Sequence, residues 1–288
     1  MKQRVITGTF FTAAIVLFVG PGYFQPWMIC LMMLLISVMS TRELTNAIET
    51  KGMKLGLILP FLGVVVSLIP VLVFFAHDSI LLAFSIYAFC TILCSILSVI
   101  FAVISHKRDT AFFEGLAVGG MILYISFPAA CTYMMLLFIP DGWYFFALGL
   151  FAPWISDVFA FFTGYFLGKH KVVPHISPKK TWEGCIGGVI SAAILTAVYF
   201  YAIASFSDAF AMTQTQLGTT IYILGAALAG VILSVFSQLG DWTASSIKRW
   251  SGVKDFGTLL PGHGGVIDRF DSAFFTLPVA LALVLFIV

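Results

Sequence analysis

Charged residues are scarce in this sequence. Lys, Arg, Asp and Glu make up 10% of its 288 residues, against about 25% in average soluble domains, whereas 60% of the residues are apolar. A soluble globule of this size could not cover its surface with so few polar groups. The composition also excludes a disordered chain, a collagen-like repeat and a disulfide-stapled secreted domain. The net charge of +2 gives no reason to expect a nucleic-acid partner. The apolar composition makes lipid the expected solvent.

The sequence also lacks the cysteine and glycine patterns of common metal and nucleotide sites. Its five cysteines all lie in apolar runs without metal-ligand spacing. Walker A, H-E-x-x-H and G-x-G-x-x-G motifs are absent. We therefore expect small buried hydrophobic side chains at Cys30, Cys90, Cys94, Cys131 and Cys185.

Long hydrophobic runs dominate what is present. A membrane-spanning helix needs about 20 apolar residues, and nine segments between polar or Gly/Pro-containing breaks approach that length. We therefore predict an all-α polytopic integral membrane protein with about nine transmembrane helices. The segments are 5–19, 24–40, 55–76, 79–104, 112–138, 143–167, 183–206, 219–239 and 271–288.

The basic residues segregate to alternate flanks of these segments. All 15 Lys and Arg residues lie on one set of flanks, and the opposite flanks carry none. Because cytoplasmic loops are enriched in Lys and Arg, this pattern predicts a cytoplasmic N-terminus and a C-terminus on the far side. The basic residues are Lys2, Arg4, Arg42, Lys51, Lys54, Lys107, Arg108, Lys169, Lys171, Lys179, Lys180, Lys248, Arg249, Lys254 and Arg269.

Ionisable residues suggest a division of the chain into two parts. We expect an N-terminal transmembrane scaffold of about five helices, 1–140, and a C-terminal catalytic part of about four helices, 141–288. The second part contains two polar cytoplasmic loops, 168–182 and 240–270. The earlier loop, 41–54, is interpreted as an amphipathic surface connection with a solvated face formed by Arg42, Glu43, Glu49 and Lys51.

The last cytoplasmic loop gathers acidic, basic and hydroxyl side chains. If the eighth span continues as a helix to about residue 249, Asp241, Ser245 and Lys248 fall at positions i, i+4 and i+7, on one stripe of that helix. Asp268 and Asp271 are three residues apart where the ninth span begins. The loop is therefore flanked by two acidic edges.

A glycine-rich segment, Pro-Gly-His-Gly-Gly at 261–265, lies between those edges. Its glycines allow backbone N–H groups to approach an anion closely, as in phosphate-binding loops. Carboxylates on either side, with Lys and Arg nearby, suit a site for Mg²⁺ and a triphosphate. The alternative is a set of solvated juxtamembrane charges around a glycine turn, or a surface for anionic lipid headgroups.

The other polar loop and the span before it add further candidates. Asp157 lies inside the sixth predicted span, where an ionised group is costly and is by default a functional-site candidate; its alternative role is an interhelical hydrogen bond. Lys179 and Lys180, with Ser177 and Thr181 beside them, form a compact set of donors for phosphate oxygens. The alternative for the two lysines is that they only set topology.

The segment 245–271, here called the signature segment, resembles that of phosphatidate cytidylyltransferases, also called CDP-diacylglycerol synthases. The similarity has no gap and covers Ser245-x-Ile-Lys248-Arg249-x4-Lys254-Asp255-x-Gly257-x2-Leu260-Pro261-x-His263-Gly264-Gly265-Val266-x-Asp268-Arg269-Phe270-Asp271. Ser156-Asp157 and the run Ser-Pro-Lys-Lys-Thr-Trp-Glu-Gly at 177–184 also resemble that family's pattern. The resemblance spans nearly the whole chain.

This resemblance implies the reaction of CTP with phosphatidate to give CDP-diacylglycerol and pyrophosphate, with Mg²⁺ required. It also implies that K⁺ can accompany the magnesium as a second cation. It also implies metal-binding carboxylates at Asp241 and Asp268, which we expect Asp271 to support. The catalytic residues are then Asp241 and Asp268 with the phosphate-contacting Lys248, Arg249 and Arg269. Substrate binding is assigned to Ser245, Lys254, His263, Gly264, Gly265, Lys179, Lys180 and Asp157.

The expected partners are CTP, phosphatidic acid and membrane lipids, without nucleic acid and with homodimerisation left open. The expected location is the bacterial inner (cytoplasmic) membrane, with the active site facing the cytoplasm. A CTP-dependent polyprenol or phytol kinase is an alternative that would transfer the γ-phosphate. A transporter or lipid flippase is another, but such proteins place ionisable groups near the membrane midplane, whereas this polar cluster lies at the predicted cytoplasmic ends of the spans.

Overall fold

The structure is a computed structural model that describes residues 2–56, 58–105, 109–262 and 264–287. His263, Lys107 and Arg108 therefore lie outside the described residues. The helices are α1 (Lys2–Gly22), α2 (Pro26–Glu49), α3 (Ile58–Ser67), α4 (Ile69–Ala76), α5 (Ile80–Ser105), α6 (Ala111–Phe138), α7 (Gly142–Leu167), α8 (Trp182–Ile203), α9 (Asp208–Leu217), α10 (Thr219–Ser251), α11 (Ile267–Phe270) and α12 (Ala273–Ile287). The strands are β1 (Lys171–Val173) and β2 (Ser177–Thr181).

Each predicted span overlaps one helix, except the third, which overlaps two, α3 and α4. With α3 and α4 counted together, 7 helices in the described part of the chain are long and apolar enough to cross a membrane, and α1 and α12 contain shorter apolar helices. The prediction of an all-α polytopic membrane protein is confirmed, with the small β1–β2 sheet as an addition. The orientation of the helices across the membrane stays a prediction.

The third predicted span, 55–76, is broken into two helices. α3 ends at Ser67 and α4 begins at Ile69, with Pro70 in the first turn of α4. Proline has no N–H to donate and clashes with the preceding helical turn, which favours a break of the helix at this point. The Ser67 hydroxyl donates to the Val64 carbonyl at 2.7 Å, which uses one of the carbonyls at the end of α3.

Small residues bring α7, α8 and α10 close together. A Cβ on Gly188 of α8 would lie 3.0 Å from the backbone oxygen of Ser156 on α7, and one on Gly230 of α10 would overlap the backbone of Ala192 on α8. The hydroxyls of Ser156 and Ser234 share a hydrogen bond of 2.7 Å between α7 and α10. Such close backbone approach is typical of membrane helix pairs, and it sets the ends of these three helices side by side.

The polar loop 168–182 forms an antiparallel hairpin of β1 and β2. Glu183, in the first turn of α8, fastens the start of the hairpin: its Oε2 accepts from the backbone N–H of Lys169 at 3.1 Å and of His170 at 3.2 Å. At the other end, Thr181 caps α8 by accepting from the Gly184 N–H at 3.2 Å. The hairpin is therefore held against the N-terminus of α8.

The cysteines contribute to packing and remain free thiols. Cys30, Cys131 and Cys185 are buried, whereas Cys90 and Cys94 on α5 are half-buried. The prediction of buried hydrophobic side chains is confirmed for the first three. The other two are more open because α5 is the least enclosed of the long apolar helices. Only 17% of its 18-residue apolar stretch is buried.

Candidate active site

The long helix α10 carries the first acidic edge of the site. It runs to Ser251 and ends at Gly252, whose φ of 79° is the left-handed conformation of a helix C-cap. The eighth span therefore continues as a helix to residue 249 and beyond, which is the condition for placing three of the predicted residues on one stripe. Asp241, Ser245 and Lys248 are all helical and lie along one side of α10, as their spacing predicted.

Lys248 pairs with Asp268 across the signature segment. The lysine Nζ lies 2.8 Å from Asp268 Oδ1, and the two side chains are 16% and 4% exposed. The same ammonium lies 5.4 Å from the ring centroid of Phe256, within the range of a cation–π contact. The pair joins the C-terminal end of α10 to the start of α11.

The second oxygen of Asp268 organises the glycine-rich segment. It accepts hydrogen bonds from the backbone N–H groups of Phe256, at 2.9 Å, and Gly265, at 2.8 Å. Gly264 has a φ of +86°, a conformation that glycine adopts without strain. In the structure, the backbone N–H of Gly265 in this glycine-rich segment therefore binds a carboxylate of the chain itself, that of Asp268.

A second lysine–aspartate pair joins the two polar loops. Lys180 Nζ on β2 forms an ion pair with Asp241 Oδ2 on α10, and the side chains are 26% and 24% exposed. The hairpin therefore brings Lys180 to the acidic edge of α10, although the two residues are 61 positions apart in the sequence.

Asp271 is buried between helices, with 9% of its surface exposed. Its Oδ1 accepts from the Ser272 N–H at 2.7 Å. Burial, and to a smaller extent the negative charge of Asp241, raise the pKa of this carboxyl to about 7. Asp271 therefore lies close enough to Asp241 for the two carboxylates to repel one another.

Three neighbouring cavities contain most of the predicted site residues. The central cavity, of about 300 Å³, is lined by Gly8, Phe11, Thr12, Trp154, Asp157, Asp268, Arg269, Asp271 and Ser272. The hairpin cavity, of about 620 Å³, shares Asp157 with it and includes Lys171, Lys179, Lys180, Thr181 and Asp241. The loop cavity, of about 390 Å³, shares Arg269 with the central cavity and includes Lys254, Asp255, Gly257 and Gly264.

Four described residues of the prediction, Ser245, Lys248, Arg249 and Gly265, are not among these lining residues. The Arg249 Nε donates to the Ile176 carbonyl at 3.2 Å, so this exposed side chain contacts the turn of the hairpin. Ser245 is half-buried on α10, and Gly265 is buried, with its N–H on Asp268. His263 lies outside the described residues.

Glu43 is a site neighbour that the sequence interpretation missed. It was expected on a solvated face, but it is 8% exposed, and its carboxylate accepts hydrogen bonds from the backbone N–H groups of Val266 and Ile267. Its expected companions Arg42, Glu49 and Lys51 are exposed, as predicted. The available signal was that Glu43 falls on the same face of α2 as the apolar Leu44 and Ala47, both buried.

The donor atoms near the carboxylates suit a hard cation. Buried hydroxyls of Tyr124 and Ser272 have no hydrogen-bond partner within the described part of the chain, and Tyr124 lies within electrostatic range of Asp241, Asp268 and Asp271. Carboxylates and neutral oxygens are the ligands that Mg²⁺ prefers, so the residues fit the ion in chemistry. In the geometry described, no three His, Cys, Asp or Glu side chains converge enough to hold a metal, and two of the carboxylates pair with lysines.

These features define a polytopic membrane protein in which acidic and basic side chains line three neighbouring cavities. A sequence profile of the cytidylyltransferase family matches residues 2–287, so the chain belongs to that family. A phosphatidate cytidylyltransferase from Staphylococcus saprophyticus is 29% identical to it over 286 residues, 96% of either chain.

Two further relatives match over a shorter stretch. Phosphatidate cytidylyltransferases from Staphylococcus haemolyticus and Staphylococcus aureus (strain COL) are each 41% identical to this chain over 138 residues. These matches cover 48% of this chain and 48% of each relative.

Proposed function

We propose that this protein is a phosphatidate cytidylyltransferase, which transfers the cytidylyl group of CTP to phosphatidic acid and yields CDP-diacylglycerol and pyrophosphate. The observation that carries the proposal is the arrangement of two lysine–aspartate pairs, Lys180–Asp241 and Lys248–Asp268, beside two cavities that share Asp157 in their linings. A site that balances acids with bases can admit both a polyanion and a divalent cation. Membership of the cytidylyltransferase family and the names of the relatives support the same reaction.

The reaction needs charge compensation more than proton transfer. A phosphate oxygen of phosphatidate attacks the α-phosphorus of CTP, and the bond from that phosphorus to the bridging oxygen of the β-phosphate breaks, releasing pyrophosphate. The attacking oxygen is already anionic near neutral pH because the second pKa of a phosphomonoester is about 6. Fixed positive charge must therefore bring two polyanions together and stabilise the leaving group.

The lysines of the two pairs can supply this charge. In the structure each ammonium neutralises a carboxylate, which lowers the cost of burying that carboxylate. When substrates enter, Lys180 and Lys248 can exchange their carboxylate partners for phosphate oxygens. Arg269 is available as well, because its buried Nε has no hydrogen-bond partner among the residues described.

Asp241 and Asp268, with Asp271 in support, would hold Mg²⁺ once their lysines turn to phosphate. The ion would supply further neutralisation of the transferring group and of pyrophosphate. Burial of Asp271 beside Asp241 favours the binding of a divalent cation, because it would relieve the repulsion between the two carboxylates.

The location of the cavities agrees with one soluble and one membrane-bound substrate. The hairpin cavity borders both the basic hairpin and apolar side chains of α7, including Phe161 and Tyr165, which suits a lipid with a phosphate headgroup. The loop cavity lies in the signature segment, with Lys254 and Arg269 in its wall, and suits the nucleotide. With the basic loops on the cytoplasmic side, the active site would face the cytoplasm at the inner membrane of a bacterium.

Product analysis with labelled CTP tests the proposal. The purified full-length chain in phosphatidate-containing micelles should release pyrophosphate and place label from the α-phosphate in the lipid only when CTP, phosphatidate and Mg²⁺ are all present. Asp241→Asn should lower kcat by about 100-fold, the size of effect of losing one electrostatic contact in an active site. The control Asp78→Asn, at an exposed position of the loop before α5, should keep wild-type activity.

Two outcomes would contradict the proposal. Transfer of label from the γ-phosphate, with release of CDP, would identify a lipid kinase. The absence of turnover by folded wild-type protein under all of these conditions would contradict an enzyme of this kind and favour a transporter.

A further inference from the structure

Glu43 connects the N-terminal part of the chain to the signature segment. Its Oε1 accepts a hydrogen bond from the Val266 N–H at 2.9 Å, and its Oε2 accepts one from the Ile267 N–H at 3.0 Å. These contacts join residues that are 223 and 224 positions apart. Both oxygens of one carboxylate thus hold two successive backbone groups at the start of α11.

The environment of this carboxylate is unusual for a residue with only a packing role. Glu43 is 8% exposed, and a buried carboxylate is costly unless hydrogen bonds compensate it. The compensation comes from backbone N–H groups, which at the start of a helix have no partner within the helix. The fold therefore retains a costly charge at the point where the chain enters Asp268 and Arg269.

Two glycines of the signature segment make room for the Glu43 side chain. A Cβ on Gly257 or on Gly265 would overlap its carboxylate, and at Gly257 all of the nearest atoms belong to Glu43. Asp268 binds neighbouring positions through the N–H groups of Phe256 and Gly265. The stretches 256–257 and 265–267 are thus tied together by two carboxylates, one from α11 and one from α2.

We propose that Glu43 is a positioning residue for the cytidylyl transfer: it holds the backbone of residues 265–267 so that Asp268 and Arg269 face the central cavity. The reaction named here rests on the proposed function, whereas the contacts that assign the role do not. Glu43 acts through the signature segment, and its loss should alter how the site works in molecules that remain folded.

Glu43→Gln is the main test, with Glu49→Gln as a matched control. The amide group turns one acceptor into a donor that faces a backbone N–H, so one hydrogen bond is lost. Glu49 lies on the same helix and also accepts two backbone N–H groups, from Leu55 at 3.2 Å and Gly56 at 3.3 Å, but away from the signature segment. Kinetic constants per folded molecule, measured after size-exclusion chromatography, separate positioning from simple destabilisation.

For Glu43→Gln we expect kcat to fall about 10–100-fold, as for residues that orient catalytic ligands, and the Mg²⁺ concentration for half-maximal activity to rise. Hydrogen–deuterium exchange should accelerate at 265–267 and stay unchanged in α5. Glu49→Gln should match the wild type in all three measurements. Wild-type kcat and Mg²⁺ dependence in folded Glu43→Gln would overturn the proposal, as would faster exchange spread evenly over the protein.

A second variant keeps the test decisive if Glu43→Gln fails to fold. Gly257→Ala leaves the charge in place but pushes the carboxylate away from the segment, so it should reproduce the loss of kcat and the faster exchange at 265–267. Unchanged kinetics in Gly257→Ala would overturn the role of Glu43. If the wild type itself releases no pyrophosphate from CTP, the proposed function fails. If the wild type turns over CTP and the variants are unaffected, only the positioning role of Glu43 fails.

Discussion

Replacing Lys248 by methionine should leave the Asp268 carboxylate buried without its counterion. The two side chains form an ion pair of 2.8 Å and are 16% and 4% exposed, so water can replace the lost ammonium only in part. Methionine is a flexible, unbranched side chain of similar length, and it can still contact the ring of Phe256. The substitution therefore removes a charge with little loss of packing.

The expected loss of unfolding free energy follows from the remaining partners of Asp268. Breaking a buried ion pair by removing one partner typically costs about 3–5 kcal/mol. Asp268 keeps two backbone N–H donors on its Oδ2, from Phe256 and Gly265, so we expect a loss near the lower limit, about 3 kcal/mol. In the double variant Lys248→Met/Asp268→Asn no unpaired charge remains, and most of this loss should be recovered.

Unfolding of the full-length protein by sodium dodecyl sulfate in mixed micelles, followed by tryptophan fluorescence, would measure these differences. Lys51→Met is the control, since Lys51 is exposed and a surface substitution should change stability by less than about 0.5 kcal/mol. The reasoning would be refuted if Lys248→Met were as stable as Lys51→Met, or if the double variant were less stable than Lys248→Met alone.

Three further predictions follow from single contacts. Gly230→Val should destabilise the protein by about 1–3 kcal/mol, because the new side chain would overlap the backbone of α8. Gly225→Val should have little effect, because a Cβ on Gly225 meets no atom within 4 Å. Equal melting temperatures of the two variants would contradict this prediction. Lys180→Met should loosen the hairpin from α10 and leave, in the ranges that the structure describes, only the hydrogen bond of Arg249 to the Ile176 carbonyl between them. Proteinase K should therefore cleave 168–182 faster in this variant than in wild type, and an unchanged rate would show that the ion pair does not anchor the hairpin. With a chelator present, stability should fall as pH rises from about 4 to about 7, because the pKa of Asp271 is raised to about 7 and the folded protein retains a proton that the unfolded chain releases near pH 4. Asp271→Asn should flatten that part of the profile, and the same slope in both proteins would argue against it.

The existence of the membrane helices could be predicted, because a bilayer demands long apolar runs and the sequence provides them. Their ends could not be read from apolar residues alone. The eighth span was expected at 219–239, but α10 continues to Ser251, since a helix that leaves the lipid keeps its hydrogen bonds while its side chains become polar. The hairpin and α9 were not predicted, because neither contains a long apolar run.

The candidate site could be predicted only where its contacts are local. The spacing of Asp241 and Lys248 places them on one side of α10, as helix geometry requires. The pairing of Asp241 with Lys180, and that of Glu43 with residues 266 and 267, depend on how distant helices pack, which no local pattern encodes. The polarity of Glu43 therefore suggested solvent, although the residue lies against the signature segment.

The uninterrupted spacing of the signature segment has a physical reason in the contacts of Asp268. Its carboxylate binds partners 20, 12 and 3 positions earlier in the chain, namely Lys248, Phe256 and Gly265. Inserting or deleting one residue between 248 and 268 would rotate a helix end or shift a loop, and at least one of these hydrogen bonds would be lost. A buried carboxylate tolerates such a loss poorly, so the spacing and the charge of Asp268 constrain each other. A one-residue insertion after Ser251 should therefore destabilise the protein about as much as Lys248→Met.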